Sequence, residues 1–229
     1  MEILFEAVRD AFNLFLHLDQ DLLEVVGLTL RVTGMALIIA VVTGVPVGVL
    51  LGMSRRIPAR GCLVPVIYTG MGLPPVVVGL LVYILLSNRG PLGDLRWLFT
   101  PAAMVLAQTV ISWPLVVGLT LTAVRSLPVT LPLQIKTLGA TRWQLAWTML
   151  MESKLGLMAA IVAAFGSIIS EVGAVILVGG NIEGETRVLT TAIVLETRKG
   201  NFALALALGF ILLSLAFVAN YALYRLQSE

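Results

Sequence analysis

Residues 125–154 read RSLPVTLPLQIKTLGATRWQLAWTMLMESK, a polar interruption in a chain otherwise apolar enough to live in lipid. The stretch carries Arg125, Gln134, Lys136, Arg142, Gln144, Glu152 and Lys154, and it is too long for a tight turn. Pro128 and Pro132 are expected to stop the preceding helix, because proline lacks the amide hydrogen and clashes with the turn before it. After Pro132 the pattern is helical again. Leu133, Leu138, Trp143, Ala146, Trp147 and Leu150 fall on a stripe of roughly 3.6-residue period. Gly139 sits between the halves as the natural break, since glycine tolerates positive φ. The stretch therefore predicts helix, glycine turn, helix, held at a membrane face and presented to something.

Working outward, composition sets the class. The chain has 229 residues, 59% of them hydrophobic and only 12% charged, with mean hydropathy +1.00. Soluble domains are about a quarter charged, so an all-α integral membrane protein is expected. The net charge of +2 comes with no basic patch interleaved with aromatics, so no nucleic-acid partner is implied. Cys62 is the single cysteine, which excludes an internal disulfide. His17 is the single histidine and offers no metal-ligand spacing. Acidic Glu2 and Glu6, with no basic region ahead of an apolar core, give no sign of a cleaved signal peptide.

Five spans are expected. Residues 1–24 form an N-terminal interfacial segment: 1–18 an amphipathic helix, 19–24 a short acidic link. The membrane domain covers 25–226. Its first span is 25–53, with Arg31 near the start and able to snorkel. The second is 62–87, interrupted by Gly70, Gly72, Pro74, Pro75 and Gly79. Adjacent prolines remove two amides from the helical ladder, and such a break persists in a membrane only inside protein or beside a wet cavity. The third span is 100–124, with Gln108, Ser112 and Pro114 inside it. The fourth is 155–178 and holds the deep carboxylate Glu171. Residues 179–202 read as a polar segment, and 203–224 as the fifth span. Each clears the roughly 20 residues that a bilayer needs.

Arginine and lysine orient these spans. Arg55, Arg56, Arg60, Arg125, Lys136, Arg142, Lys154 and Arg225 fall on one side. Arg9, Arg89, Arg96, Arg187, Arg198 and Lys199 fall on the other. The first side is read as cytoplasmic, which puts the N-terminus outside, the C-terminus inside and residues 125–154 in the cytoplasm.

The run LGATRWQLAWTMLMES, entered from QIKT, resembles the cytoplasmic coupling loop of permease subunits of ABC importers. Gly139 matches that loop's glycine; Ala140, Thr141, Arg142, Trp143 and Gln144 follow as its continuation. The E-A-A positions of that loop are Leu133, Gln134 and Ile135 here, and the later I-x-L-P positions read Met149, Met151 and Glu152. The stretches TGMGLPPVVVGLLVY, NRGPLG and ISEVGAVILVGGNIEGETRVLTTAIVLETRKG resemble the tungstate-type permeases of the molybdate and sulfate importer group. The likeness extends over about residues 28–223.

This resemblance implies a type I importer permease fold with five transmembrane helices, in a bacterial or archaeal cytoplasmic membrane. It implies a homodimer, an ATP-binding cassette ATPase that holds ATP-Mg in the chain's stead, and an extracytoplasmic oxyanion-binding protein. No GxxxxGK[ST] run is present in this chain. The cargo implied is a tetrahedral oxyanion: tungstate first, molybdate or sulfate as alternatives. Candidates for the path and gate are Pro74, Pro75, Ser167, Ser170, Glu171 and Asn181. Glu171 is awkward for an anion path; a structural partner, a gate-positioning residue and a repulsive element all remain open for it. Arg187, Arg198 and Lys199 are candidates for the outer docking face. A secondary transporter would call for paired intramembrane acids or an inverted repeat. An intramembrane enzyme would call for a nucleophile and base within the spans. Neither pattern is found.

Overall fold

The computed structural model describes residues 20–53 and 60–227. The expected amphipathic helix at 1–18, His17 and the basic loop at 54–59 lie outside the described residues. The elements are helical: α1 (Gln20–Met53), α2 (Arg60–Met71), α3 (Pro75–Leu86), a 3-10 turn (Gly93–Leu95), α4 (Pro101–Arg125), α5 (Leu131–Thr137), α6 (Arg142–Glu152), α7 (Lys154–Ile169), α8 (Gly173–Gly179), α9 (Leu189–Arg198) and α10 (Phe202–Gln227). Three of these, α1, α4 and α10, are each long and apolar enough to cross a bilayer. Two bent pairs, α2 with α3 and α6 with α7, bring the possible spans to five.

The frame is α1 packed along α4. Gly44 faces Val116, Gly48 faces Thr120, and Gly52 faces Val124. Partners advance four residues for four on both helices, so the two run parallel. The approach is close: a Cβ at Gly48 would stand 2.8 Å from the carbonyl oxygen of Val117. Lipid tails are as apolar as leucine, so helix association here depends on such close packing rather than on escape from water. Helix α7 returns antiparallel on α4, with Gly156 against Ala123 near one end and Gln108 bonded to Ile168 near the other. Val32, Val82, Leu86, Met104, Ala107 and Val178 fill one core between these helices. A second core joins Val45, Val49, Val116 and Val124 to Leu145 and Met149 of α6.

Several expected boundaries move. The acidic link at 19–24 is not a link from Gln20 onward, because α1 begins there. Asp21 sits in its first turn, where a carboxylate opposes the helix dipole, and Leu22 and Val25 pack against Leu208 and Ile211 of α10. The second span is two helices of 12 residues each, meeting at 106°. Each is about 18 Å long, short of a bilayer on its own. The fourth span also breaks: α7 ends at Ile169 and α8 starts at Gly173. The polar segment at 179–202 contains a helix, α9, whose Leu189, Thr190, Thr191 and Ala192 are buried. Pro132 does not stop a helix. It occupies the first turn of α5, where its missing amide hydrogen would have no partner anyway.

Candidate functional site

The candidate coupling element is an elbow held by backbone bonds on one side of Gly139 and a side-chain capping box on the other. At the end of α5 the Gly139 amide donates to the Lys136 carbonyl at 3.0 Å, and the Ala140 amide to the Ile135 carbonyl at 3.4 Å. Gly139 itself has φ +81°. These are the two bonds and the left-handed residue of a Schellman cap. The next residue, Thr141, opens α6 with a capping box. Its Oγ1 accepts from the Gln144 amide at 3.3 Å, and Gln144 Oε1 accepts from the Thr141 amide at 2.8 Å. Thr141 and Gln144 thus spend their side chains fixing the elbow. The single stripe expected along α6 is split. Leu145 and Met149 are its buried face, with Ala146 and Leu150 only partly covered. Trp143 is 86% exposed and Leu138 87%, with Trp147 also exposed. A stable soluble surface seldom displays two indoles side by side on one helix.

The second candidate lies where two broken spans meet. Pro74 caps α3 and Pro75 is its first residue. Val76 then packs on Gly173, the first residue of α8, and Gly79 lies on the Ala174 backbone. Glu171, nearly buried, accepts the Ala174 amide hydrogen on Oε1 at 2.9 Å. Its carbonyl oxygen accepts from Thr190 Oγ1 of α9 at 3.0 Å. The carbonyl of Ile168, left without a helical donor by the break, accepts from Gln108 Nε2 at 3.1 Å and from the Glu171 amide at 3.2 Å. The Leu189 amide, opening α9, donates to Thr29 Oγ1 of α1 at 3.0 Å. The break is therefore tied to α3, α4 and α9, and through α9 to α1. The side-chain partner of Glu171 is the backbone amide of Ala174, three residues on.

Ser167 and Ser170 stand at the break itself, and the remaining candidates sit apart. Ser170 is exposed and donates to the Gly166 carbonyl at 2.9 Å; Ser167 is half-buried on the same end of α7. Asn181 lies beyond the far end of α8, with φ +55° and its Oδ1 buried without a partner. Arg187 pairs with Glu183 at 3.3 Å and Lys199 with Glu196 at 2.7 Å, while Arg198 is exposed. Glu196 also accepts from Asn201 Nδ2 at 2.8 Å. The Asn201 bond first, and the Lys199 bond second, hold its carboxyl below the ordinary carboxylate value. Among the described residues no group of three or more His, Cys, Asp or Glu could hold a metal ion.

Sequence reasoning passed over Thr29, Thr190 and Gly173, read Gly79 only as part of the interruption of the second span, and treated Gln108 only as a polar residue in a span. Their common signal is a hydroxyl or amide, or a lone glycine, inside an apolar run. Buried polar groups in a membrane must find partners, but the partner's identity is not written in the sequence.

With this geometry in hand, residues 44–228 match the family model described as a binding-protein-dependent transport system inner membrane component. The chain belongs to that family. Along the full length of both chains, this permease is 38% identical to a tungstate uptake system permease protein of Peptoclostridium acidaminophilum. It is 41% identical to a probable anion ABC transporter permease protein of Haloferax volcanii, over 87% of this chain and 88% of that one. A molybdenum transport system permease protein of Escherichia coli K12 is 32% identical over 74% of this chain and 77% of that one. Among solved structures, a bacterial ABC transporter that imports alginate superposes with TM-score 0.75 at 21% identity, covering 94% of this chain and 83% of its own. The inward-facing methionine ABC transporter gives 0.70 at 20%, covering 88% and 92%. The fold is that of ABC importer permeases, and the chain is a multi-pass inner-membrane component rather than an ATPase. Partners of two kinds follow from the family: a binding protein and an ATPase.

Proposed function

We propose that two copies of this permease form the path of an ATP-driven importer for a tetrahedral oxyanion, tungstate first among them. The observation that carries the coupling half is the exposed Trp143–Trp147 face on a helix fixed at both the Gly139 elbow and the Leu145–Met149 core. Residues 139–144 form the contact to the ATPase: Thr141 and Gln144 hold the helix, and Arg142 and Trp143 reach the partner. Closure of the ATPases on ATP pushes α6, and α7 follows because only Ser153 separates them. The push then reaches the Glu171 break, where Pro74, Pro75, Ser167 and Ser170 lie along the gate and Asn181 beyond it. A rigid-body step of this kind is a known form of switching.

Tungstate as cargo rests on the 38% and 33% identities to tungstate uptake permeases. Arg187, Arg198 and Lys199 form a docking rim for the binding protein, with Arg187 paired to Glu183 and Lys199 to Glu196. The N-terminus lies outside and the C-terminus in the cytoplasm. The membrane domain takes in the expected residues 25–226 and begins with α1. The test is to co-express this chain with its ATPase and binding protein. A two-copy permease that co-purifies with ATPase and takes up tungstate supports the reading. Monomeric permease in nanodiscs, or tungstate uptake independent of ATP, overturns it.

A further inference from the structure

Opposite the coupling elbow, Ser87, Asn88, Arg89, Asp94, Arg96 and Phe99 line an open cavity of about 900 Å³. We infer that this cavity is a weak binding site for a free tetrahedral oxyanion, held by the guanidinium groups of Arg89 and Arg96. The inference rests on the oxyanion-importer reading and adds to it a place where the anion waits outside the gate.

Three observations carry it. First, neither arginine forms an ion pair among the described residues, whereas Arg187 and Lys199 on the same face both do. Asp94 lines the cavity without bonding to either, so the two guanidiniums leave it net positive. Guanidinium presents a fork of donors that matches oxyanion geometry.

Second, the loop is set before any ligand arrives. The Gly90 amide donates to Ser87 at 2.7 Å, Leu92 to Leu85 at 2.9 Å, and Arg96 to Gly93 at 3.1 Å. A Cβ at Gly93 would stand 2.5 Å from the Ser87 carbonyl, so the loop has no slack. Arg96 is held at φ +51°, a conformation that costs a non-glycine residue about 1 kcal/mol. The loop therefore fixes the backbone from which the Arg96 side chain leaves.

Third, the cavity stands over both helices that leave the gate. Helix α3 runs from Pro75 into the Tyr83–Ser87 wall. Phe99 is tied to α8, its amide donating to the Val178 carbonyl at 2.8 Å, and its ring lies against Gly180 and edge-on to Tyr83. An anion gripped by Arg89 and Arg96 would thus bear on the outer ends of α3 and α8, whose inner ends meet at Glu171. Occupancy must be weak, because a tight site on a path blocks release.

The test is arginine footprinting of the full chain in nanodiscs without ATPase or binding protein. Phenylglyoxal labelling is read site by site by peptide mass spectrometry, with sodium tungstate, molybdate or sulfate added and ionic strength held constant with chloride. At about 10 mM anion a site of ~1 mM Kd is some nine-tenths full, so labelling of Arg89 and Arg96 should fall together by about tenfold. Exposed Arg198 should label unchanged. Arg96→Gln should remove the protection at Arg89; if that variant does not purify, Arg89→Gln read at Arg96 serves instead. Protection equal in chloride, or absent, overturns the inference. Protection that appears with phosphatidylglycerol in the disc, and to which the oxyanion adds nothing, assigns the arginines to lipid headgroups and also overturns it. Normal ATP-driven uptake with no footprint removes this site while leaving the importer reading intact; a footprint without uptake does the reverse.

Discussion

Gln108 Nε2 donates to the carbonyl oxygen of Ile168 at 3.1 Å, from the middle of α4 to the last turn of α7. The bond adds a second donor to a carbonyl that the break leaves with the Glu171 amide in place of its regular helical donor. The other amide atom, Gln108 Oε1, is buried and has no partner. The residue therefore brings one gain and one cost. Gln108→Leu loses a bond of about 1 kcal/mol and removes the orphan oxygen, so the net loss of stability should stay under about 1 kcal/mol. Gln108→Glu places a charge within the membrane and should cost about 3 kcal/mol. Thermal unfolding in one detergent ranks the two, and a leucine variant less stable than the glutamate variant would contradict this account of the break.

Glu171 poses a sharper question, because its carboxylate lies near the proposed path. Its observed task is to accept the Ala174 amide hydrogen. A glutamine offers the same oxygen. Glu171→Gln should therefore keep the fold and most of the uptake, while Glu171→Ala should lose about 1 kcal/mol, as a missing helix cap does. Equal damage from both substitutions would show that the charge itself matters.

The long spans were legible because three runs of apolar residues exceed a bilayer's thickness. The elbow was legible because Gly139 stands between two helical patterns. The breaks were half legible: Pro74 and Pro75 announced an interruption but not a 106° turn. That angle depends on what α3 packs against after the prolines, chiefly Gly79 on Ala174 and Val76 on Gly173. The break at Ser170–Val172 has no proline. Its evidence in sequence is one buried carboxylate, and only the fold shows that this carboxylate caps the helix beyond the break. Helix α9 went unread because its charged end, Glu196–Lys199, hides a buried Leu189–Ala192 start.

Gly79 tests that packing directly. A Cβ there would lie 2.5 Å from Ala174 Cα, a backbone atom that no rotamer change can move. Gly79→Ala should push α3 off α8 and cost about 1–3 kcal/mol, the usual range for overpacking. Gly166→Ala, with nothing within 4 Å of the added atom, is the matched control and should be near neutral. The comparison is made by thermal melts, and equal melts for the two variants would refute the close contact.

Glu196, at the end of α9, sets a pH dependence. Its carboxyl is held below its ordinary value first by the Asn201 bond, then by the Lys199 bond, with the charges of Lys199 and Arg187 adding to this and burial opposing it. A depressed carboxyl stabilises the fold above its unfolded pKa, and that contribution is lost as pH falls through the folded value. Wild type should therefore exceed Glu196→Gln in stability near pH 7, by about 1 kcal/mol or less for a surface pair. The gap should close on the acid side, below about pH 4. Melting temperatures taken across that range would show a constant gap if the carboxylate were not involved.

Gly139 separates two explanations of the elbow. No atom lies within 4 Å of a Cβ built there, while φ is +81°. Crowding is excluded and backbone conformation is what demands glycine. Asparagine visits the left-handed region far more readily than β-branched residues do. Gly139→Asn should then retain most ATPase stimulation, whereas Gly139→Val should lose it, with about 1–2 kcal/mol of strain redirecting α6. Trp143→Ala leaves the elbow intact, and at 86% exposure the indole contributes little to the permease's own stability. Its loss should weaken ATPase binding by about 2 kcal/mol, roughly thirtyfold, if the residue is an interface anchor. Membrane insertion and melting temperature should be unchanged in Trp143→Ala and near wild type in Gly139→Asn. Purified permease variants titrated with ATPase give the affinities, and stimulated hydrolysis gives the coupling. Full stimulation with Gly139→Val would show that α6 does not need its present direction, and the coupling assignment of residues 139–144 would fall with it.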